Sequence, residues 1–143
     1  MLGFCFHQQH IRSLTAIFFH RPRSEEPVRD FKTLKVWQKA HQLVLTVYRT
    51  TQAFPPDERF GLTTHLRKSA TSIPSNIAEG CGRHTDTDLA RFLSIAAGSA
   101  AETDYQLLLA RDLGYINEQQ HSDLDASVNE VKRMLNSFIS RLH

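Results

Sequence analysis

The residues best suited to chemistry are one cysteine and one histidine in the middle of the chain. Cys81 and His84 are three positions apart, but no acidic residue is placed to orient the imidazole of His84 as a base. The same two side chains supply two metal ligands, fewer than a structural zinc site requires. We therefore expect neither a nucleophile nor a zinc centre here.

A second chemical pattern begins at Glu118. Glu118 and His121 have the Glu-x-x-His spacing that occurs in di-iron helical bundles. Those centres need two such motifs and two further glutamates at mid-bundle, whereas this chain has one motif in the first turn of a helix. It also has no glycine-rich phosphate loop. The sequence predicts a non-enzyme, without catalytic, cofactor-binding or metal-binding residues.

Basic side chains around the second predicted helix are the candidates for contact with nucleic-acid phosphates. They are Arg59, Arg67, Lys68, Arg83, His84 and Arg91. Each phosphate neutralised by such a residue would add salt-dependent affinity. The alternative is solvated charge and ion pairing between subunits, because residues 57–91 contain five Lys/Arg and five Asp/Glu.

The bulk composition fits one domain of a soluble protein. The chain has 143 residues, 41% of them hydrophobic and 22% charged, with a formal net charge of +2. Its two cysteines form no disulfide framework, and no apolar run approaches the ~18 residues that span a bilayer. We expect a cytoplasmic protein with no membrane partner and no small-molecule substrate.

Hydrophobic periodicity predicts an all-α, antiparallel up-down-up-down four-helix bundle over residues 30–143, preceded by a flexible arm over residues 1–29. The helices are expected at 34–54, from 57 to about 80, at 86–113 and at 118–142. Trp37 and Tyr48 lie on the core line of the first helix. Asn117 with Gln120 forms a capping box before the fourth.

Four residues of the second helix are assigned structural roles. Pro74 should kink the helix and free the carbonyl of Ala70, to which Asn76 could donate a hydrogen bond. Glu79 should pair with Arg83 or with an arginine of a neighbouring subunit, and Gly80 should help to end the helix.

The third helix is apolar over more of its circumference than one bundle core needs. Beyond its core line it carries Ala90, Phe92, Ile95, Ala97, Ala101 and Leu108. This excess predicts a homo-oligomer in which a second copy covers the exposed surface. The alternative is that the small residues fill a tight seam within one chain.

The segment Ser72-Ile73-Pro74-Ser75-Asn76-Ile77-Ala78-Glu79-Gly80, followed by Arg83, resembles the signature of the bacterial four helix bundle proteins, also called 23S rRNA-intervening sequence proteins. Residues 34–41, 54–62 and 91–102 resemble the same family, in the same order. The resemblance implies a four-helix bundle that assembles as a ring-shaped homopentamer, with no known catalysis. A more distant branch contains accessory proteins of diversity-generating retroelements, which bind a reverse transcriptase and nucleic acid.

These observations predict a non-enzymatic oligomeric scaffold of unassigned biochemical role that binds RNA, DNA or a protein partner through its ring. The alternative is a structural oligomer without a nucleic-acid role.

Overall fold

The computed structural model describes residues 29–143 and contains four α-helices. They are α1 (Lys35–Thr51), α2 (Leu62–Cys81), α3 (Asp86–Asp112) and α4 (Glu118–Arg141), with short 3-10 helices at Phe31–Thr33 and Pro56–Glu58. Each α-helix packs on its sequence neighbours, α4 closes on α1, and the backbones of diagonally opposite helices do not approach each other in the described bundle. The predicted up-down-up-down fold is confirmed. Apart from Arg29, the predicted arm lies outside the described residues.

Helix α1 is shorter than predicted. It ends at Thr51 rather than Phe54, because the N–H groups of Ala53 and Phe54 bond to carbonyls three residues back, in a turn that leads into Pro55. The Thr51 hydroxyl donates to the Val47 carbonyl (2.8 Å) and accepts a hydrogen bond from Arg67 Nε (2.8 Å). Phe54 is still buried, outside the helix, against the ring of Tyr115. The core assignment of Tyr48 was wrong: 43% of its surface is exposed.

Helix α2 begins five residues after the predicted start. Asp57 and Glu58 belong to a 3-10 turn, and the Glu58 carboxylate accepts a hydrogen bond from the Leu62 N–H (2.8 Å). The negative charge therefore stabilises the positive end of the helix from outside it. Glu58 also accepts a hydrogen bond from the Tyr115 hydroxyl (3.2 Å). Burial, together with this carboxylate, raises the pKa of Tyr115.

The helix continues through Pro74 as predicted, but the predicted partner of Asn76 was wrong. Asn76 Nδ2 donates to the Ser72 carbonyl (2.8 Å) and lies 3.0 Å from the Ser72 hydroxyl. A side chain on a helix reaches the carbonyl one turn before it, which for Asn76 is that of Ser72. The Ala70 carbonyl lies further away.

Gly80 lies inside α2 and does not end it. A Cβ atom at this position would lie 2.9 Å from Leu89 Cδ1 and 3.0 Å from Phe92 Cβ. Gly80 is therefore needed for the close approach of α2 and α3. Among the glycines of residues 29–143, Gly114 (φ 77°), which follows α3, takes a left-handed conformation.

The core consists of the predicted apolar lines of the four helices. On α3, Leu89, Leu93, Ala96 and Ala100 have no exposed surface. A polar chain crosses from α3 to α2 beside them: Thr103 donates to the Ser69 hydroxyl (3.0 Å), which donates to Gln106 Oε1 (2.6 Å). The capping box of Asn117 and Gln120 is also confirmed.

The substitution Leu93→Asp tests the position of α3 in the core. Leu93 is completely buried, and an unpaired buried carboxylate should lower the free energy of unfolding by more than about 4 kcal/mol. Urea denaturation followed by circular dichroism measures the loss. Ser127→Asp, at an exposed position in the middle of α4, is the control for the added charge. Equal stabilities for the two variants would contradict the assigned register of α3.

Candidate nucleic-acid interface

The six predicted basic residues do not form one cluster. Arg59 precedes α2, whereas Arg83 and His84 follow it. At 1.5 Å per residue, the 20 residues of α2 separate these groups by about 30 Å. The candidate interface is therefore extended along α2, with Arg67 and Lys68 between its ends.

Arg67 and Lys68 lie beside a hollow of about 600 Å³ between α1 and α2. The Arg67 guanidinium lies 4.6 Å from the centroid of the Tyr48 ring and bonds to Thr51, so its position is fixed. Lys68 is exposed. The hollow is lined by Tyr48, Thr64, Arg67, Lys68, Thr71, Ser72 and Ser75.

A second hollow, of about 660 Å³, lies at the C-terminal end of α2. Its lining residues are Ser75, Ala78, Glu79, Gly82, Arg83 and His84. Because both hollows include Ser75, they form one continuous surface, which we call the α2 groove. Besides its basic side chains, five of its lining residues have hydroxyl groups, namely Tyr48, Thr64, Thr71, Ser72 and Ser75.

Phe92 holds two of the predicted arginines together at this end. The guanidinium carbons of Arg83 and Arg91 lie 4.9 and 4.6 Å from the centroid of its ring. Arg83 also pairs with Glu79 (2.6 Å), as predicted, and Arg91 pairs with Asp88 (3.6 Å). Both pairs are exposed, where ion pairs contribute little to stability.

Arg59 lies away from the groove and stacks on Phe60 instead. Its guanidinium carbon is 5.4 Å from the centroid of a ring that is 84% exposed.

The predicted oligomer surface on α3 is partly covered within one chain. Ile95 and Leu108 are 44% and 38% exposed, and Ala101 is exposed as well. Ala90 is buried, whereas Phe92 and Ala97 are half-buried. Sequence reasoning missed Tyr105, which is 61% exposed. Its spacing, four residues after Ala101 and three before Leu108, places it on the same flank.

The candidate nucleophile Cys81 is 3% exposed. Burial raises the pKa of its thiol, which disfavours the reactive thiolate. Among residues 29–143, no three His, Cys, Asp or Glu side chains come together as metal ligands. Within the same residues, every helix is too short or too polar to cross a membrane.

Alkylation of Cys81 tests this burial. In a Cys5→Ser variant, we expect iodoacetamide to modify the native chain about two orders of magnitude more slowly than the urea-unfolded chain. Because burial raises the pKa of the Cys81 thiol, the folded chain holds this proton more tightly than the unfolded chain. The free energy of unfolding therefore falls as the pH rises from the unfolded-state pKa through the folded-state pKa. Mass spectrometry measures the rate, and equal native and unfolded rates would contradict the burial.

Comparison with known proteins places this bundle in a family. A family model described as 23S rRNA-intervening sequence protein matches residues 32–137. A comparison with curated proteins finds no match. Among solved structures, a protein of unknown function from the S23 ribosomal protein family of Bacteroides thetaiotaomicron is similar, with a TM-score of 0.66 and 26% sequence identity. The similarity covers 73% of this chain and 97% of that one. The chain therefore belongs to the 23S rRNA-intervening sequence protein family.

Proposed function

We propose that this chain is a non-enzymatic scaffold that assembles with copies of itself and holds the phosphate backbone of RNA or DNA along α2. The observation that carries the proposal is the continuous α2 groove, with cationic side chains in both of its hollows. The buried, protonated thiol of Cys81 supports a role without covalent catalysis.

The side chains of the groove suit phosphate oxygens. Ser75 has an exposed hydroxyl group, and Lys68 and Arg83 have charged donors. The hydroxyls of Thr64 and Ser72 already bond within the chain, and that of Thr71 is buried. Hydroxyl, ammonium and guanidinium groups supply most protein contacts to nucleic-acid backbones. From Thr64 to Gly82 the groove extends for about 27 Å at the helical rise of 1.5 Å per residue, which is long enough for several phosphates.

The basic side chains of the groove differ in how readily they can meet a phosphate. Lys68 and His84 are exposed and take part in no ion pair among the described residues. Arg83 is held by the exposed carboxylate of Glu79, a pair that a phosphate can replace at small cost. One copy should therefore bind weakly, and repeated copies should bind tightly through avidity.

Self-association is supported by the flank of α3 that contains Ala101, Tyr105 and Leu108, and by exposed Ile95. Covering such apolar side chains with a second copy would remove them from water. A pentamer is the assembly that the family resemblance implies, and it would repeat the α2 groove five times.

A second candidate function is a structural oligomer without a nucleic-acid role. It is favoured by the fact that four of the predicted arginines already have partners within the chain. Arg59 stacks on Phe60, Arg67 is bonded to Thr51, and Arg83 and Arg91 share Phe92.

Fluorescence anisotropy with labelled single-stranded RNA and DNA, at several salt concentrations, distinguishes the two functions. We expect the logarithm of affinity to fall linearly with the logarithm of salt, and Lys68→Glu to reduce the slope by about 1 or more per copy. Arg133→Glu makes the same charge change at an exposed position on α4 and should leave the slope unchanged. No binding at low salt, or equal losses in both variants, would contradict the α2 groove.

Size-exclusion chromatography with light scattering tests self-association separately. We expect the native chain to have a mass several times its 16.4 kDa, and Ile95→Glu/Leu108→Glu to dissociate it with unchanged helicity. Leu45→Glu/Phe60→Glu, at exposed apolar positions outside α3 (36% and 84% exposed), is the matched control and should stay assembled. A native mass of one chain would refute the oligomer.

A further inference from the structure

A second groove lies where the start of α1 meets the end of α4. Its volume is about 560 Å³ and it shares no residue with the α2 groove. We call it the α1–α4 groove. It is lined by Leu34, Lys35, Val36, Arg133, Met134, Ser137, Phe138 and Arg141.

The floor of this groove is apolar. Val36 is 5% exposed, and Leu34, Met134 and Phe138 are half-buried side chains that pack against the core. A ligand seated here would bury apolar surface, which distinguishes this site from the hydroxyl-lined α2 groove.

The rim of the groove is basic. Lys35, Arg133 and Arg141 are exposed, and none of the ion pairs among residues 29–143 includes them. The surrounding segments 29–43 and 130–143 contain seven Lys/Arg and two Asp/Glu. This local excess of positive charge is larger than the net charge of the whole chain, +2.

The first turn of α1 adds to this positive field. Its N-cap residue, Leu34, makes no side-chain capping bond, and the turn contains no acidic residue. In contrast, Thr85 caps α3, Asn117 caps α4, and Glu58 accepts from the first N–H of α2. A carboxylate near Lys35 would therefore meet both a charged side chain and the positive end of a helix.

From this combination we propose that the α1–α4 groove docks an acidic amphipathic helix of a partner protein. Its apolar face lies on Val36, Met134 and Phe138, and its carboxylates pair with Lys35, Arg133 and Arg141. This is the helix-in-groove mode of peptide recognition, with charges at the rim that select the partner.

The spacing of the cations favours such a partner over other ligands. Arg133 and Arg141 are eight residues apart, about 12 Å along α4, so a fatty acid with one carboxylate would neutralise only one of them. A nucleic-acid backbone would leave the apolar floor uncovered. Residues 1–28 of this chain contain three arginines and two glutamates, so their charge does not complement the rim.

The test uses the full chain and a fluorescein-labelled peptide of about 15 residues. In this peptide Leu and Glu each recur at three- and four-residue spacing, so that its helix has one apolar and one acidic face. A helix of this length is only marginally stable in water. We expect saturable binding that weakens with salt and falls by about tenfold or more in Arg133→Glu/Arg141→Glu. Arg49→Glu/Arg59→Glu, which makes the same charge change at exposed positions outside both grooves, is the matched control and should bind like the native chain. Circular dichroism checks that the variants are folded.

Several results would overturn the proposal. One is the absence of peptide binding, and another is equal binding of the same peptide with Gln in place of Glu. Binding measurements with other ligands give two more. One is saturable binding of laurate without binding of the peptide, and the other is RNA binding that depends on Arg133 and Arg141. A reduced mass of Arg133→Glu/Arg141→Glu in light scattering would show that a second copy occupies the groove.

Discussion

The close packing of α2 on α3 is the constraint on which the rest of the structure depends. Gly80 allows the two backbones to approach, since any larger residue would meet Leu89 and Phe92. Hydrogen bonds then fix the register of the two helices: Thr103 bonds to Ser69, Ser69 bonds to Gln106, and the hydroxyls of Ser72 and Ser99 lie 2.9 Å apart. Buried polar contacts of this kind are satisfied in one alignment, so a sliding of either helix would leave several groups unpaired.

This register decides what α2 presents to solvent. With its apolar side turned to α3 and the core, α2 lines the shallow groove that extends to His84 with small hydroxyl side chains, of which Thr64 and Ser75 are exposed. The same packing brings Phe92 to the end of α2, where its ring holds Arg83 beside Arg91. The cationic C-terminal end of the α2 groove is therefore a consequence of the contact that holds the bundle together.

The sequence predicted the features that depend on local or periodic patterns. The core line of α3, including Leu93, and the capping box at Asn117 need no knowledge of the neighbouring helices. Three features depend on tertiary contacts and were missed. Gly80 has a packing role that appears only beside Leu89, Tyr48 stays exposed under Arg67, and the basic residues are close in sequence but separated by the helical rise of α2. The two proposed grooves could not be predicted from the sequence for the same reason, because they form where side chains of neighbouring helices come together.

The distribution of charge suggests how two anionic partners could bind to different faces of one scaffold. Residues 100–129 contain one Lys/Arg and six Asp/Glu, and they include the first half of α4, which does not contact α2. This acidic region repels polyanions and leaves the two positive grooves as the favourable sites of approach. The grooves then differ in what lies beneath their cations. Hydroxyl groups in the α2 groove suit a hydrated phosphate backbone, whereas Val36 and Phe138 in the α1–α4 groove favour a ligand that also has an apolar face. Charge attracts both kinds of partner, and the chemistry of the floor selects between them.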